Sequence, residues 1–115
     1  MVSYQWGIFW ANLDPSKGSE QAGLRPVLVI SVEEVNQVLP IVTVVSLTSL
    51  KAGRRIYATE VLLQDYETGL TKQSIAMIHQ IRAISKERLM VKCGSIESDE
   101  IKEEIKNAVK SYLDL

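Results

Sequence analysis

The chain has 115 residues, of which 46% are hydrophobic and 23% charged, and its formal net charge is −1. That length builds one domain, residues 1–115, with a real core and no room for a second. One cysteine, Cys93, excludes an internal disulfide, and with a single distant histidine it makes no ligand cluster, so neither metal nor cofactor is expected.

Charge is uneven. Residues up to Ile96 carry 10 basic and 8 acidic side chains, and the remainder 3 and 6. There is no general basic excess of the kind common in nucleic-acid binders. Any positive potential must be local and assembled by folding, which argues against tight non-specific binding. The N-terminal MVSYQWG lacks a basic region leading into a long apolar one, and the longest apolar stretch, Leu39–Leu47, is too short to cross a bilayer. The expectation is a chain without signal peptide or membrane segment, in a reducing cytoplasm.

Trp6–Leu13 is apolar and aromatic and stops at Asp14-Pro15, which predicts a first strand and a turn. The connection to Leu24 is long for a hairpin, and long loops in small domains carry function or mobility. Pro26–Val32 predicts the second strand. Its unalternating apolar run implies cover on both faces or a place at a subunit interface. Glu33–Leu39 reads as a short connection, irregular or one helical turn, closed by Pro40. Ile41–Ser49 predicts the third strand, with Val42, Val44, Ser46 and Thr48 on one face. Lys51–Arg55 is a basic turn, solvated or available to steer a polyanion.

Ile56–Leu63 predicts the fourth strand and Gln64–Thr71 a polar turn around Gly69. Gln73–Ile84 predicts the fifth strand, with Ile75, Met77, Ile81 and Ala83 on one face. Ser85 reads as the cap of a single turn, Lys86–Arg88, after which Leu89–Val91 pairs back. Ser98 caps a final helix whose first turn carries Asp99 and Glu100, matching the helix dipole. Ile101, Ile105, Ala108, Val109 and Tyr112 form its apolar stripe. Short strands at hairpin-like spacing with one closing helix predict a small, mostly antiparallel barrel or strongly bent sheet.

The stretch most loaded with chemistry is Gly18–Ser31, GSEQAGLRPVLVIS. Arg25 stands at the mouth of the second strand, before a proline that biases it toward extended geometry. Its planar fork of donors suits a phosphate or carboxylate. Ser19, Glu20 and Gln21 add polar groups beside it.

This stretch and the preceding LDPSKGSEQ resemble the signature loop of the MazF/PemK family of toxin endoribonucleases. VVSLTS, ending the third strand, and HQIRAISKERL, from His79, resemble further blocks of that family. The resemblance implies an SH3-like barrel with a C-terminal helix, shared with CcdB-like toxins. It also implies a homodimer in a toxin–antitoxin system, cleaving single-stranded RNA without metal to 2′,3′-cyclic phosphate and 5′-OH ends. Carried to this chain, the catalytic positions are Arg25 and Thr48, with Ser19, Glu20, Gln21 and Gln80 as RNA-binding candidates. Arg25 would stabilise the phosphorane and Thr48 hold a phosphate oxygen or the 2′-OH. Glu20 is the nearest proton acceptor in sequence. Arg82 is either a further RNA contact or a fold support paired with a carboxylate. His79 stands where relatives often carry an acidic residue, so the mechanism is not expected to depend on it. The implied partner is an antitoxin whose acidic, partly disordered C-terminal segment fills the RNA groove. A CcdB-like gyrase-binding protein and a catalytically inactive relative that binds only an antitoxin are the rival readings. The family usually opens its first strand with Gly-Asp, where this chain has Trp6-Gly7.

Overall fold

The computed structural model describes residues 2–115. Six strands form one antiparallel sheet: β1 Gly7–Asn12, β2 Leu24–Val29, β3 Ile41–Ser49, β4 Glu60–Leu63, β5 Ser74–Ser85 and β6 Leu89–Ser95. Their spatial order is β4-β5-β3-β2-β1-β6. Three helices complete the chain: α1 Glu33–Val38, α2 Asp65–Thr68 and α3 Asp99–Leu113.

Alternation along the strands divides the apolar side chains between two clusters, one on each face. Ile8, Leu28, Val45 and Leu47 join Val61 and Leu63 of β4 and Ile101 and Ile105 of α3 in the larger one. Phe9, Ala11, Leu13, Val27, Val29, Val42 and Val44 form the smaller with Ile84. The unalternating run of β2 is thus covered on both faces. Strands from opposite ends of the sheet share the larger cluster, so the sheet is strongly bent, and α3 packs into its concave side. No ladder joins the edge strands β4 and β6. The short α2, which follows β4, bridges them instead: Gly94 of β6 lies against the Thr68 carbonyl, where a Cβ would collide.

Four elements differ from those expected by more than a residue at an end. β4 begins only at Glu60, because Arg54 and the Tyr57 N–H both turn inward onto the buried Glu60 carboxylate and hold residues 56–59 in a loop. The polar turn after it contains the helix α2, made by a reciprocal cap between Gln64 and Glu67 and stopped by Gly69 at φ 82°. β2 starts two residues early and ends at Val29. β6 runs on to Ser95 because it pairs with β1.

The facing of β5 is also corrected. Val44 pairs with Arg82 and Ser46 with Met77, so Val45 alone faces the four residues 78–81. This bulge reverses the phase of the strand. Ile81 therefore packs on the larger cluster, and Ile84, not Ala83, is buried in the smaller. The Ser85 cap and the turn Lys86–Arg88 are as expected, with Ser85 Oγ accepting from Glu87 N. Ser98 Oγ accepts from Ile101 N at the start of α3.

Candidate active site

The site begins where β2 and β3 part. Their ladder ends at Val27 and Ser46, and continuing that register places Arg25 opposite Thr48. Pro26 has no N–H to extend the ladder, so the two side chains flank a break in the pairing. Both border an open cleft of about 570 Å³. Trp10, paired across the sheet with Pro26, forms part of its wall and stays 38% exposed. Lys51 and Lys72 stand on the rim. Neither lysine makes an ion pair among the described residues, so both charges are free to attract an anion.

Arg25 is positioned by the loop in front of it. Its Nε donates to the Ala22 carbonyl at 3.1 Å, which leaves the two Nη groups for a ligand. The loop is bracketed by Gly18 at φ 55° and Gly23 at φ 73°, left-handed backbone that glycine adopts without strain. Gly23 N donates to Asp14 Oδ1, and Arg88 Nη1 donates to the Asn12 and Asp14 carbonyls. These bonds fix both ends of the loop.

The remaining candidates fall outside the Arg25–Thr48 cleft and gather on the loop. Gln80 Nε2 donates to the Ser19 carbonyl at 3.1 Å, across 61 residues of sequence. The Glu20 carboxylate accepts from Lys17 N and closes a turn of its own segment. Gln21 Oε1 is buried without a hydrogen-bond partner. Arg82 does not pair with a carboxylate, contrary to one of the two roles expected of it: the ion pair found among the described residues joins Arg54 to Glu60. His79 Nδ1 lies 3.0 Å from Thr59 Oγ1, away from the cleft, in keeping with a structural role.

Lys72 was missed in the sequence, and Trp10, readable there either as a base-stacking ring or as core packing, turns out to be partly exposed. Lys72 follows a Gly-Leu-Thr turn and carries no local signal. Trp10 lies within an apolar run where packing and exposure read alike. Cys93 borders the cleft, but burial pushes its thiol above the ordinary value, which makes it a poor nucleophile. No group of three His, Cys, Asp or Glu side chains that could hold a metal ion occurs among the described residues.

The architecture is thus a bent antiparallel sheet closed by one helix, with Arg25 opposite Thr48 where its two central strands part. The family of PemK-like, MazF-like toxins of type II toxin–antitoxin systems matches residues 4–113, and the chain belongs to it. It is 33% identical over 108 residues to the endoribonuclease MazF of Staphylococcus saprophyticus, covering 94% of this chain and 88% of the relative. It is 35% identical over 113 residues to the endoribonuclease MazF9 of Mycobacterium tuberculosis, covering 94% and 93%. Among solved structures, the M. tuberculosis toxin MazF-mt6 superposes with a TM-score of 0.76 at 28% identity, over 95% of this chain and 97% of that one. A MazE–MazF structure from Deinococcus radiodurans gives 0.76 at 22% identity, over 100% and 99%, a likeness of fold.

Proposed function

We propose that this toxin is a sequence-selective endoribonuclease that cleaves single-stranded RNA by attack of a ribose 2′-OH on its own phosphate. The observation that carries the reading is Arg25 opposite Thr48 at the end of the β2–β3 ladder, on an open cleft with two lysines on its rim. In the reaction the 2′-oxygen bonds to phosphorus, the P–O5′ bond breaks, and the products are a 2′,3′-cyclic phosphate and a 5′-OH. Charge builds on the phosphorane oxygens, where a guanidinium held by its Nε is already oriented. An Nη–H of Arg25 protonates or hydrogen-bonds the departing 5′-oxygen. Thr48 Oγ1 donates to a non-bridging oxygen or orients the 2′-OH. Taking the 2′ proton on Glu20 requires its carboxylate to leave Lys17 N and turn into the cleft, outside which it now lies. No step asks for a metal.

Trp10 offers a face on which a base stacks. Ser19, Gln21 and Gln80 form the other border of the RNA path, and contact by Gln80 requires its bond to Ser19 to be exchanged for an RNA acceptor. The reading places a homodimer in the cytoplasm. Its cognate antitoxin inserts an acidic segment into the same cleft, since a polyanion of either kind meets Arg25, Lys51 and Lys72 there.

The test is incubation of a long single-stranded RNA with purified protein in excess EDTA, wild type beside Arg25→Ala. Discrete cuts that vanish in the variant are expected. A folded wild-type protein that leaves varied RNAs intact would contradict the reading and favour a protein that only binds a partner.

A further inference from the structure

The loop between β3 and β4 has no core of its own. Residues 51–58 bury no apolar side chain: Ile56 is 40% and Tyr57 56% exposed. Among the described residues, no backbone hydrogen bond ties residues 51–58 to anything beyond the loop and Glu60. A single carboxylate takes the place of packing. Arg54 Nη1 and Nη2 donate to Glu60 Oε1 and Oε2 at 3.0 and 2.8 Å, and Tyr57 N donates to Oε1 at 2.9 Å. The Glu60 side chain is 1% exposed, on a strand that pairs with β5 at Met77. The loop is thus tethered to a fixed point of the sheet.

This tether reaches the active-site cleft. Arg54 N donates to the Lys51 carbonyl at 3.0 Å and closes a turn through Gly53, whose φ is 78°. On the other side of the turn, Leu50 N donates to the Gln73 carbonyl. Lys51 borders the cleft and makes no ion pair among the described residues. A bidentate guanidinium–carboxylate pair fixes angle as well as distance, so orientation passes from Glu60 through Arg54 to the backbone of Lys51. Without the pair, the turn would lose its freedom only when a polyanion bound, and that ordering opposes binding.

We propose that Glu60 is a positioning residue for RNA capture, acting through Arg54 to pre-order the turn that presents Lys51 to the cleft. It touches no RNA itself. The inference rests on the endoribonuclease reading above. The sign of the effect separates positioning from simple electrostatics. Neutralising Glu60 makes the protein more positive, which by field alone strengthens the binding of a polyanion. Loss of positioning weakens it.

The test uses an RNA with a mapped cut site, made resistant by a single 2′-deoxy nucleotide there, and reads binding at pH 7 by fluorescence anisotropy. Glu60→Gln is expected to raise Kd about tenfold, the cost of fixing roughly one freed backbone residue on binding. Replacing both partners, Arg54→Leu with Glu60→Leu, leaves no buried charge unpaired and keeps the net charge, so it retains the fold and should show the same loss. In a Lys51→Ala background, Glu60→Gln is expected to change Kd by less than about twofold, because the two act as one unit. With the cleavable RNA, KM should rise by the same factor as Kd while kcat holds. Folded Glu60→Gln or paired variant that binds as tightly as wild type, or more tightly, would overturn the assignment. So would a loss that persists in full without Lys51, or one confined to kcat. Wild-type protein that binds no RNA would instead remove the functional reading on which the inference rests.

Discussion

Single polar residues of this chain do separate work, in the chemistry and in the fold. Thr48→Val keeps the shape and removes the hydroxyl, and loss of one donor to a developing oxyanion lowers kcat by about 10²–10³-fold. Thr48→Ser should restore most of the rate, and equal rates for Thr48→Val and wild type in a single-turnover assay would remove Thr48 from the chemistry. Glu60 makes a different prediction. Two hydrogen bonds from Arg54, opposed by burial and helped by Tyr57 N–H, hold its carboxyl below the ordinary 4.5. A carboxylate with a depressed folded pKa stabilises the fold fully above its unfolded value, and the gain is lost as pH falls through the folded one. Wild type should therefore outlast Glu60→Gln in urea at pH 7, with the gap closing as the buffer is taken below about pH 4. A gap independent of pH would refute this. Arg25 and Thr48 were legible because both stand in dense sequence blocks. Arg54 was not: nothing in KAGRR distinguishes an arginine folded back onto a buried glutamate from two solvated neighbours.

The elements carry the sequence signal unevenly. β3 and α3 were readable nearly to the residue, since β3 begins after Pro40 and α3 begins after a serine cap. Removing that cap, Ser98→Ala, should cost about 1 kcal/mol in urea unfolding. Ile105→Ala in the same helix should cost about 2–5 kcal/mol, because Ile105 is wholly buried against the sheet. Comparable losses for the two would mean that α3 is not the lid of the larger cluster. What escaped the sequence depends on tertiary pairing. The bulge at residues 78–81 exists because β5 must bend past β3, and no local pattern announces it. Gly94 lies beyond the expected strand Leu89–Val91, yet it admits the Thr68 carbonyl that joins α2 to β6. Trp6 shows the reverse case. It takes a left-handed φ of 65° at the position where the family usually has glycine, and its ring is held by Lys102 of α3 at 5.7 Å. Packing against the larger cluster offsets backbone strain there.

On the scale of the whole molecule, a chain with net charge −1 can take a polyanion because its charges are segregated by the fold. Arg25, Lys51 and Lys72 meet at one end of the sheet, whereas Glu100 and Glu104 of α3 border a separate depression. Salt should thus weaken RNA binding steeply despite the acidic composition. An acidic antitoxin segment should compete with RNA for the cleft, and a ternary complex with both in it would contradict a shared site. Attack by the ribose on its own phosphate, served by Arg25 and Thr48, has a direct test in the substrate. A single 2′-deoxy nucleotide placed 5′ of the cut bond removes the nucleophile and leaves the phosphate, the bases and the protein unchanged. Cleavage at that bond is expected to stop while the other sites of the same RNA are still cut, leaving cyclic phosphate ends. Cleavage of the deoxy bond at the ribose rate would mean that water, not the 2′-OH, attacks phosphorus, and would contradict the mechanism.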